Sequence, residues 1–576
     1  MVIKKLQRRI LRFLGNRAVA AGRFIIQNRL ARWIARRRAV RFAARILILF
    51  GELFTLRVWR PGKRLVRRIL RFMGRHEILP WVLTWAACFG LAKAILKSAF
   101  FVKLVAGGMA ASGFVLISFL SPLAGLLIWL LLSPLLNALI SFHFLPGTPV
   151  VTGDKICLVV LLVIYVVHMK REFRSEPNAP LHAAMFLFLG AMLLSAASAR
   201  GVLPRRAIQG VLECYGAPIL VYFLARRWIS DRTALRWAFV VMLITSVYFC
   251  GFAIPEHFTG RNYFTRSGRS AWIEEDLGAA RVQGPAESPQ EFGLVVATAM
   301  VLAVVLFSLE SKAGRRFIYF CILALGGVAV SLTLRRSVYV SAFLGLAAML
   351  VSGGKVRRNV AIILAAGALA TIISWQQLST SKFYSERIVS IGPLYNRAIV
   401  QATAWNVFKH YPVFGIGAGN FADVAGEYLI PYKNIPASYG RGIKSPHNSY
   451  LRIMVEGGSV AFVPFLAMLL LMMHTSIQAY KRASGPGLFG RDGVVVFWGL
   501  SIGLLIQAMS TDSFHFSRYL ITFWFFFLGA IAGMHLQPQV AQSDRAESVP
   551  AKLQVSVSPG IIGKEGKSTA VRPTTG

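Results

Sequence analysis

Short apolar runs broken by basic residues open the chain, a long series of apolar runs follows, and a stretch without periodicity ends it. In residues 6–50, LQRRILRFLGNRAVAAGRFIIQNRLARWIARRRAVRFAARILILF, apolar positions recur every three or four residues between arginines. That spacing predicts amphipathic helices with an arginine-rich face. Runs long enough to cross a bilayer, at about 20 residues per crossing, then lie near 81–104, 110–143, 156–169, 182–199, 207–225, 236–253 and 291–309. They continue near 315–334, 336–352, 359–376, 458–476, 493–510 and 518–535. Region 110–143 fits one long span or a hairpin broken at Ser121-Pro122 or Ser133-Pro134. The pattern predicts an all-α polytopic membrane protein of about 12–14 transmembrane helices, with one large polar loop containing short helices.

Composition agrees: 56% of the 576 residues are hydrophobic and the mean hydropathy is +0.58, outside the range of soluble chains. Charge adds orientation. Lys and Arg number 65 against 23 acids, a net charge of +42. Residues 1–80 hold 22 of those bases against only Glu52 and Glu77. Basic residues interrupt every apolar run there, which excludes a signal peptide. The arm reads as an interfacial, cytoplasmic segment lying on anionic membrane lipids, rather than a nucleic-acid-binding arm. The connectors at 170–174, 226–236, 312–316, 355–358 and 481–491 are short and basic, hence cytoplasmic. Segments 254–290, 377–457 and 511–517 then fall on the opposite side, with both termini cytoplasmic. The expected organisation is a basic arm (1–80), a transmembrane core (81–376), a catalytic loop (377–457), C-terminal spans (458–536) and a disordered cytoplasmic tail (537–576). Cys88, Cys157, Cys214, Cys250 and Cys321 form no CxxC pair, so neither a metal site nor a disulfide framework is indicated.

The loop 377–457 is the longest connection, and loops of that length are usually functional. Asn396–His410 reads as an amphipathic helix, and the glycines of Gly415-Ile-Gly417-Ala-Gly419 imply tight turns or close backbone approach. Without a following Lys-Ser/Thr they are not a nucleotide loop. Ser445-Pro446 reads as a helix start, with Ser445 as N-cap and proline at the first helical position. This places His447 in the first turn, where the helix dipole keeps an imidazole neutral and able to act as a base. The same helix end could receive a phosphate. Arg452 and Glu456 are spaced for an ordinary helix ion pair. Nine residues separate His447 from Glu456, about half a turn around a helix, so a direct dyad is not expected.

The pattern Asn396-Arg397 … Trp405 … His410-Tyr-Pro412 … Gly415-Ile-Gly417-Ala-Gly-Asn420-Phe421 … His447-Asn448 … Glu456-Gly457 resembles the O-antigen ligase and polymerase superfamily. These are bacterial membrane glycosyltransferases that use polyprenyl-diphosphate-linked glycans. Leu334-Arg335-Arg336-Ser337 is similar to that family's Ser-Arg-Ser element. Arg281-Val-Gln-Gly284 … Ser288-Pro289-Gln290-Glu291-Phe292 is similar to the segment leading into its middle span, with Gln290 where the family has asparagine. The resemblance implies a multi-pass inner-membrane enzyme that needs no metal or cofactor. Its donor would be a polyprenyl-diphosphate-linked glycan and its acceptor lipid A core or a growing polysaccharide.

Such a transfer releases a diphosphate, which arginines stabilise bidentately. Arg281, Arg336 and Arg397 are the expected diphosphate- and glycan-binding residues, and His447 is the expected catalytic base. Asn448 and Glu456 are expected in supporting roles. Arg335 reads as an interfacial, snorkelling residue, and Asp512, His515 and Arg518 are further candidates in the last outside loop. A repeat-unit polymerase for O-antigen or exopolysaccharide is the alternative within this class. A non-catalytic polysaccharide transporter or flippase is the alternative outside it.

Overall fold

The computed structural model describes residues 100–142, 151–168, 178–199, 204–265, 273–274, 279–373, 392–430, 443–485 and 487–536. The basic arm, most of the expected 81–104 span, Cys88 and the C-terminal tail lie outside the described residues. Contacts divide the chain into Met1–Phe114 and Val115–Gly576, and apart from residues 100–114 every residue discussed below belongs to the second unit.

The described chain is helical apart from two antiparallel pairs of two-residue strands, Ser141–Phe142 with Val151–Thr152 and Ile273–Glu274 with Ala279–Ala280. The break in 110–143 falls at Ser121-Pro122: α1 (Phe100–Leu120) ends there and α2 (Pro122–Leu139) begins. Ser121 Oγ caps α2 by accepting from Ala124 N–H, and Pro122 occupies its first turn, where no N–H is needed. Pro134 is carried inside α2. Next come α3 (Gly153–Val167), α4 (Ala179–Ala197), α5 (Pro204–Trp228), α6 (Arg232–Thr259), α7 (Pro289–Leu309), α8 (Ala313–Ser331), α9 (Arg336–Ala348) and α10 (Gly354–Ile373). The polar region contributes α11 (Gly392–His410) and the one-turn α12 (Phe421–Val424). The chain closes with α13 (Ser449–Arg482), α14 (Arg491–Ala508), the short α15 (Ser513–Phe516) and α16 (Arg518–His535).

Among the described residues, eight helices are long and apolar enough to cross a membrane: α4 to α8, α13, α14 and α16. Shorter apolar helices occupy 110–120, 122–138 and 336–351. This is an all-α polytopic membrane protein. Helix α7 is buried almost all round, whereas α8 is mostly exposed, so α7 runs through the middle of the bundle and α8 along its outside. Helix α16 packs on α5, α13 on α4, and α9 on α14. In the last pair Gly345 and Gly499 lie against each other's carbonyls, and a Cβ on Gly499 would come within 2.7 Å of Gly345 O. Small residues give such close approach where helix association cannot draw on water exclusion.

Hydrogen bonds join the segment after α6 to the end of α8, and the segment before α13 to the segment after α14, and these segments build the site.

Candidate active site

The helix following the polar loop starts later than the sequence pattern suggests. Asn448, not Ser445, is the N-cap: its side-chain oxygen accepts from Tyr450 N–H at 3.0 Å and Leu451 N–H at 3.1 Å. Ser445 is diverted by a carboxylate from elsewhere in the chain. Its hydroxyl donates to Asp512 Oδ2 and accepts from His447 N–H at 3.2 Å. Asp512 Oδ1 accepts from Asn448 N–H at 3.0 Å, and Asp512 Oδ2 accepts from Arg452 Nη1 at 3.1 Å. One buried carboxylate thus pins both sides of the His447 turn and reaches into the first turn of α13. The expected loop 377–457 accordingly passes into α13 at Ser449.

His447 itself has φ +52, and Leu334, at the exit of α8, has φ +51. They are the only non-glycine residues of positive φ among the described residues. Leucine is an outlier in that region, where histidine is better tolerated, and such backbone conformations collect at functional sites. Both residues here adjoin one cluster of cations. The Leu334 turn reverses the chain between α8 and α9, so that Arg335 and Arg336 stand together where the chain leaves one helix and starts the next.

Arg281 reaches the same place by another route. Buried Glu256 accepts from the backbone N–H groups of Gln283 (3.1 Å) and Gly284 (2.8 Å) and from Asn262 Nδ2 (2.8 Å). Val282 N–H donates to Leu332 O at 3.4 Å, tying this loop to the end of α8. Arg397 is set by the apolar stripe of α11. Val400, Ala404 and Val407 bury against Phe421, Ala425 and Val455. Arg397 continues that stripe one turn earlier, so it lies on the inward face, half-buried, rather than on a solvated face.

Electrostatics ties these groups together. Burial, then the charges of Arg281 and Arg397, push Arg335 down to about 9. Burial and the charge of Arg336 lower Arg397. Burial lowers Arg281, with Tyr339 opposing. Although His447 is exposed, the protein packed around it removes enough water to lower its pKa; Asp512 opposes this, and the charges of Arg397 and Arg335 reinforce it. A neutral imidazole is the result expected from the sequence, but its cause is burial and nearby arginines rather than a place inside the helix. An assembly of mutually repelling cations is a standing site for an anion.

Behind this cluster, α13 is broken at Gly458 (φ +63, ψ −168). An unbroken helix would bond Ser459 N–H to Val455 O and Val460 N–H to Glu456 O. Instead those donors go to Pro412 O (2.8 Å) and Val413 O (3.1 Å), while Val455 O and Glu456 O accept from Ile416 N–H (3.0 Å) and Gly417 N–H (3.1 Å). The glycine-rich loop is therefore spliced into the helix ladder, which satisfies backbone groups that apolar surroundings could not. A Cβ on Gly415 or Gly458 would overlap the opposing carbonyls. Glu456 faces this support and not His447: its carboxylate accepts from Arg452 Nε at 3.0 Å.

The expected residues thus divide. His447, Arg281, Arg336 and Arg397 share one end of the bundle with overlapping electrostatic fields, while Asn448 and Glu456 act on backbone and packing. Arg335 gains importance that the sequence did not reveal, and Asp512, a further candidate from the sequence, takes a defined place as the clamp of the His447 turn. Arg335 acts on His447 and Arg281, yet nothing in the dipeptide Arg335-Arg336 separates one arginine from the other. Asp512 lies 64 residues from Asn448 in the chain, so no local pattern connects them.

Residues 319–466 match the family model described as O-antigen ligase. No curated protein matches the chain. The matched stretch includes the Leu334 turn, α11, the glycine loop, His447 and the break in α13.

Proposed function

We propose, from the match of residues 319–466 to the O-antigen ligase family model and from the site described above, that this chain transfers a glycan from a polyprenyl-diphosphate carrier to an acceptor hydroxyl at the periplasmic face of the bacterial inner membrane. The observation that carries the reading is the positive-φ turn at His447, clamped by Asp512 and within electrostatic reach of Arg335 and Arg397. The basic connectors at the opposite end of the bundle support the orientation. In the proposed step the acceptor oxygen attacks the anomeric carbon and its proton passes to the His447 imidazole. The bond from that carbon to the diphosphate oxygen breaks, and the electron pair leaves with the diphosphate. Arg281, Arg335, Arg336 and Arg397 receive the growing negative charge, which is greatest in the transition state. Lipid A core is the proposed acceptor.

The test uses the full-length protein in liposomes with lipid-linked glycan and the core acceptor. His447→Ala is expected to reduce transfer by about 10²–10⁴-fold, the range for loss of a general base, with unchanged yield and thermal stability. Transfer at the wild-type rate would overturn the assignment. Chain extension of the lipid-linked glycan in place of core modification would make the protein a polymerase.

A further inference from the structure

A second polar chamber opens between α2, α3, the middle of α5, residues 285–287 and the start of α16. Its cavity volume is about 70 Å³, and Trp129, Asn137, Lys155, Glu213, Glu287 and Arg518 are among the residues that line it. That volume holds a few water-sized polar groups, such as the hydroxyls of one sugar ring. A π-helical insertion, Leu212–Gly216, interrupts α5 and carries Glu213 at the chamber wall. Such insertions inside α-helices gather at functional sites.

The charged groups are joined to one another. Lys155 Nζ lies 2.5 Å from Glu213 Oε1, and Arg518 Nη1 pairs with Glu213 Oε2. Arg518 Nε lies 3.6 Å from Glu287 Oε1, which also accepts from Asn137 Nδ2 at 3.2 Å. Ionisable residues at spanning-helix depth carry a free-energy cost and by default indicate function. A fold needing only stability would fill this space with apolar side chains.

The chamber and the arginine and histidine cluster are linked along the chain. Arg281 and Glu287 belong to one loop, and Asp512 and Arg518 to one turn. Cys214, adjacent to Glu213, donates to His515 O at 3.4 Å, and His515 N–H in turn donates to Asp512 O at 3.0 Å. Their charges differ, however. Asp154, Glu213, Glu287 and Glu291 line the chamber against Lys155 and Arg518. The carboxylates outnumber the cations that pair with them, so the lining offers acceptors for hydroxyl donors rather than a cluster of cations for phosphate, while Trp129 and Tyr519 offer apolar ring surface.

We propose that the chamber binds the hydroxyl-bearing, unphosphorylated part of a saccharide substrate, beside the site of the diphosphate. This rests on the glycan-transfer reading above. The acceptor glycan and the donor's glycan share the required chemistry, and separate titrations distinguish them.

The experiment follows Trp129 fluorescence in the full-length protein in nanodiscs, taken as the difference from Trp129→Phe. One arm adds oligosaccharide released by mild acid from the lipid-linked donor; the other adds delipidated core oligosaccharide; a third adds inorganic phosphate. At least one saccharide is expected to give a saturable Trp129 signal, with phosphate giving none. Glu287→Gln is expected to raise the half-saturating concentration about tenfold, the effect of one hydrogen bond to a charged group. Asn137→Ala, a milder change at the same contact, is expected to act in the same direction. No Trp129 signal with either saccharide, or an equal one with phosphate, would overturn the proposal. Glycan transfer without a Trp129 response would overturn the chamber alone. Saccharide binding by a wild-type protein that transfers nothing would overturn the transferase reading and support the saccharide site.

Discussion

A histidine can take a proton from an acceptor hydroxyl only while its own ring is neutral, so the charges around His447 set the pH range of the reaction. Its pKa lies below the ordinary histidine value of 6.5, so the acid-side decline of transfer should have its midpoint below pH 6.5. The two neighbouring signs give opposite expectations. Removing the Arg335 charge with Arg335→Gln takes away an influence that lowers the pKa, so the acid limb of kcat/KM against pH moves to higher pH. Asp512→Asn takes away an influence that raises it, so the limb moves to lower pH. Limbs that stay in place in both variants would show that His447 is not the titrating base. Maximal transfer by Arg335→Gln would likewise return Arg335 to a mere interfacial cation.

The splice between the glycine loop and α13 sets tolerance at the level of elements. Gly458 combines φ +63 and ψ −168, a region essentially closed to side chains, with a neighbouring carbonyl where a Cβ would sit. Gly458→Ala should cost about 2–4 kcal/mol and lower the thermal midpoint in detergent. Gly426→Ala, in the same region of the chain but with open space around the new Cβ, should change stability by less than about 0.5 kcal/mol. Equal midpoints for the two variants would remove the splice as a structural requirement. The amphipathic helix was legible in the sequence, because three- and four-residue apolar spacing is local. The start of α13 was not: Ser445-Pro446 is a fair local signal, and it lost to Asn448 once Asp512 claimed the Ser445 hydroxyl.

Across the whole molecule, Arg452 joins α13 to the last loop through Glu456 and Asp512, all three buried. Arg452→Met would leave two buried carboxylates without their shared cation, at a cost of about 3–5 kcal/mol, and chemical denaturation in micelles measures it. The orientation of the bundle is tested at Lys444, which is exposed. In a background without the native cysteines, Lys444→Cys should react with a membrane-impermeant maleimide added outside the inner membrane. Reaction only after that membrane is opened would reverse the topology.

Sequence alone determined the all-helical membrane architecture, most span positions in the described region and the polar loop, because apolar length and helical periodicity are properties of neighbouring residues. It also drew attention to His447, Arg281, Arg336 and Arg397 through resemblance. Only the tertiary structure decided what surrounds them. The field of Arg335 at His447, the Asp512 clamp, the exchange of hydrogen bonds at Gly458 and the chamber beside Glu213 all depend on groups far apart in the chain. Folding brings those groups within hydrogen-bonding or Coulombic reach, and no local spacing encodes that distance.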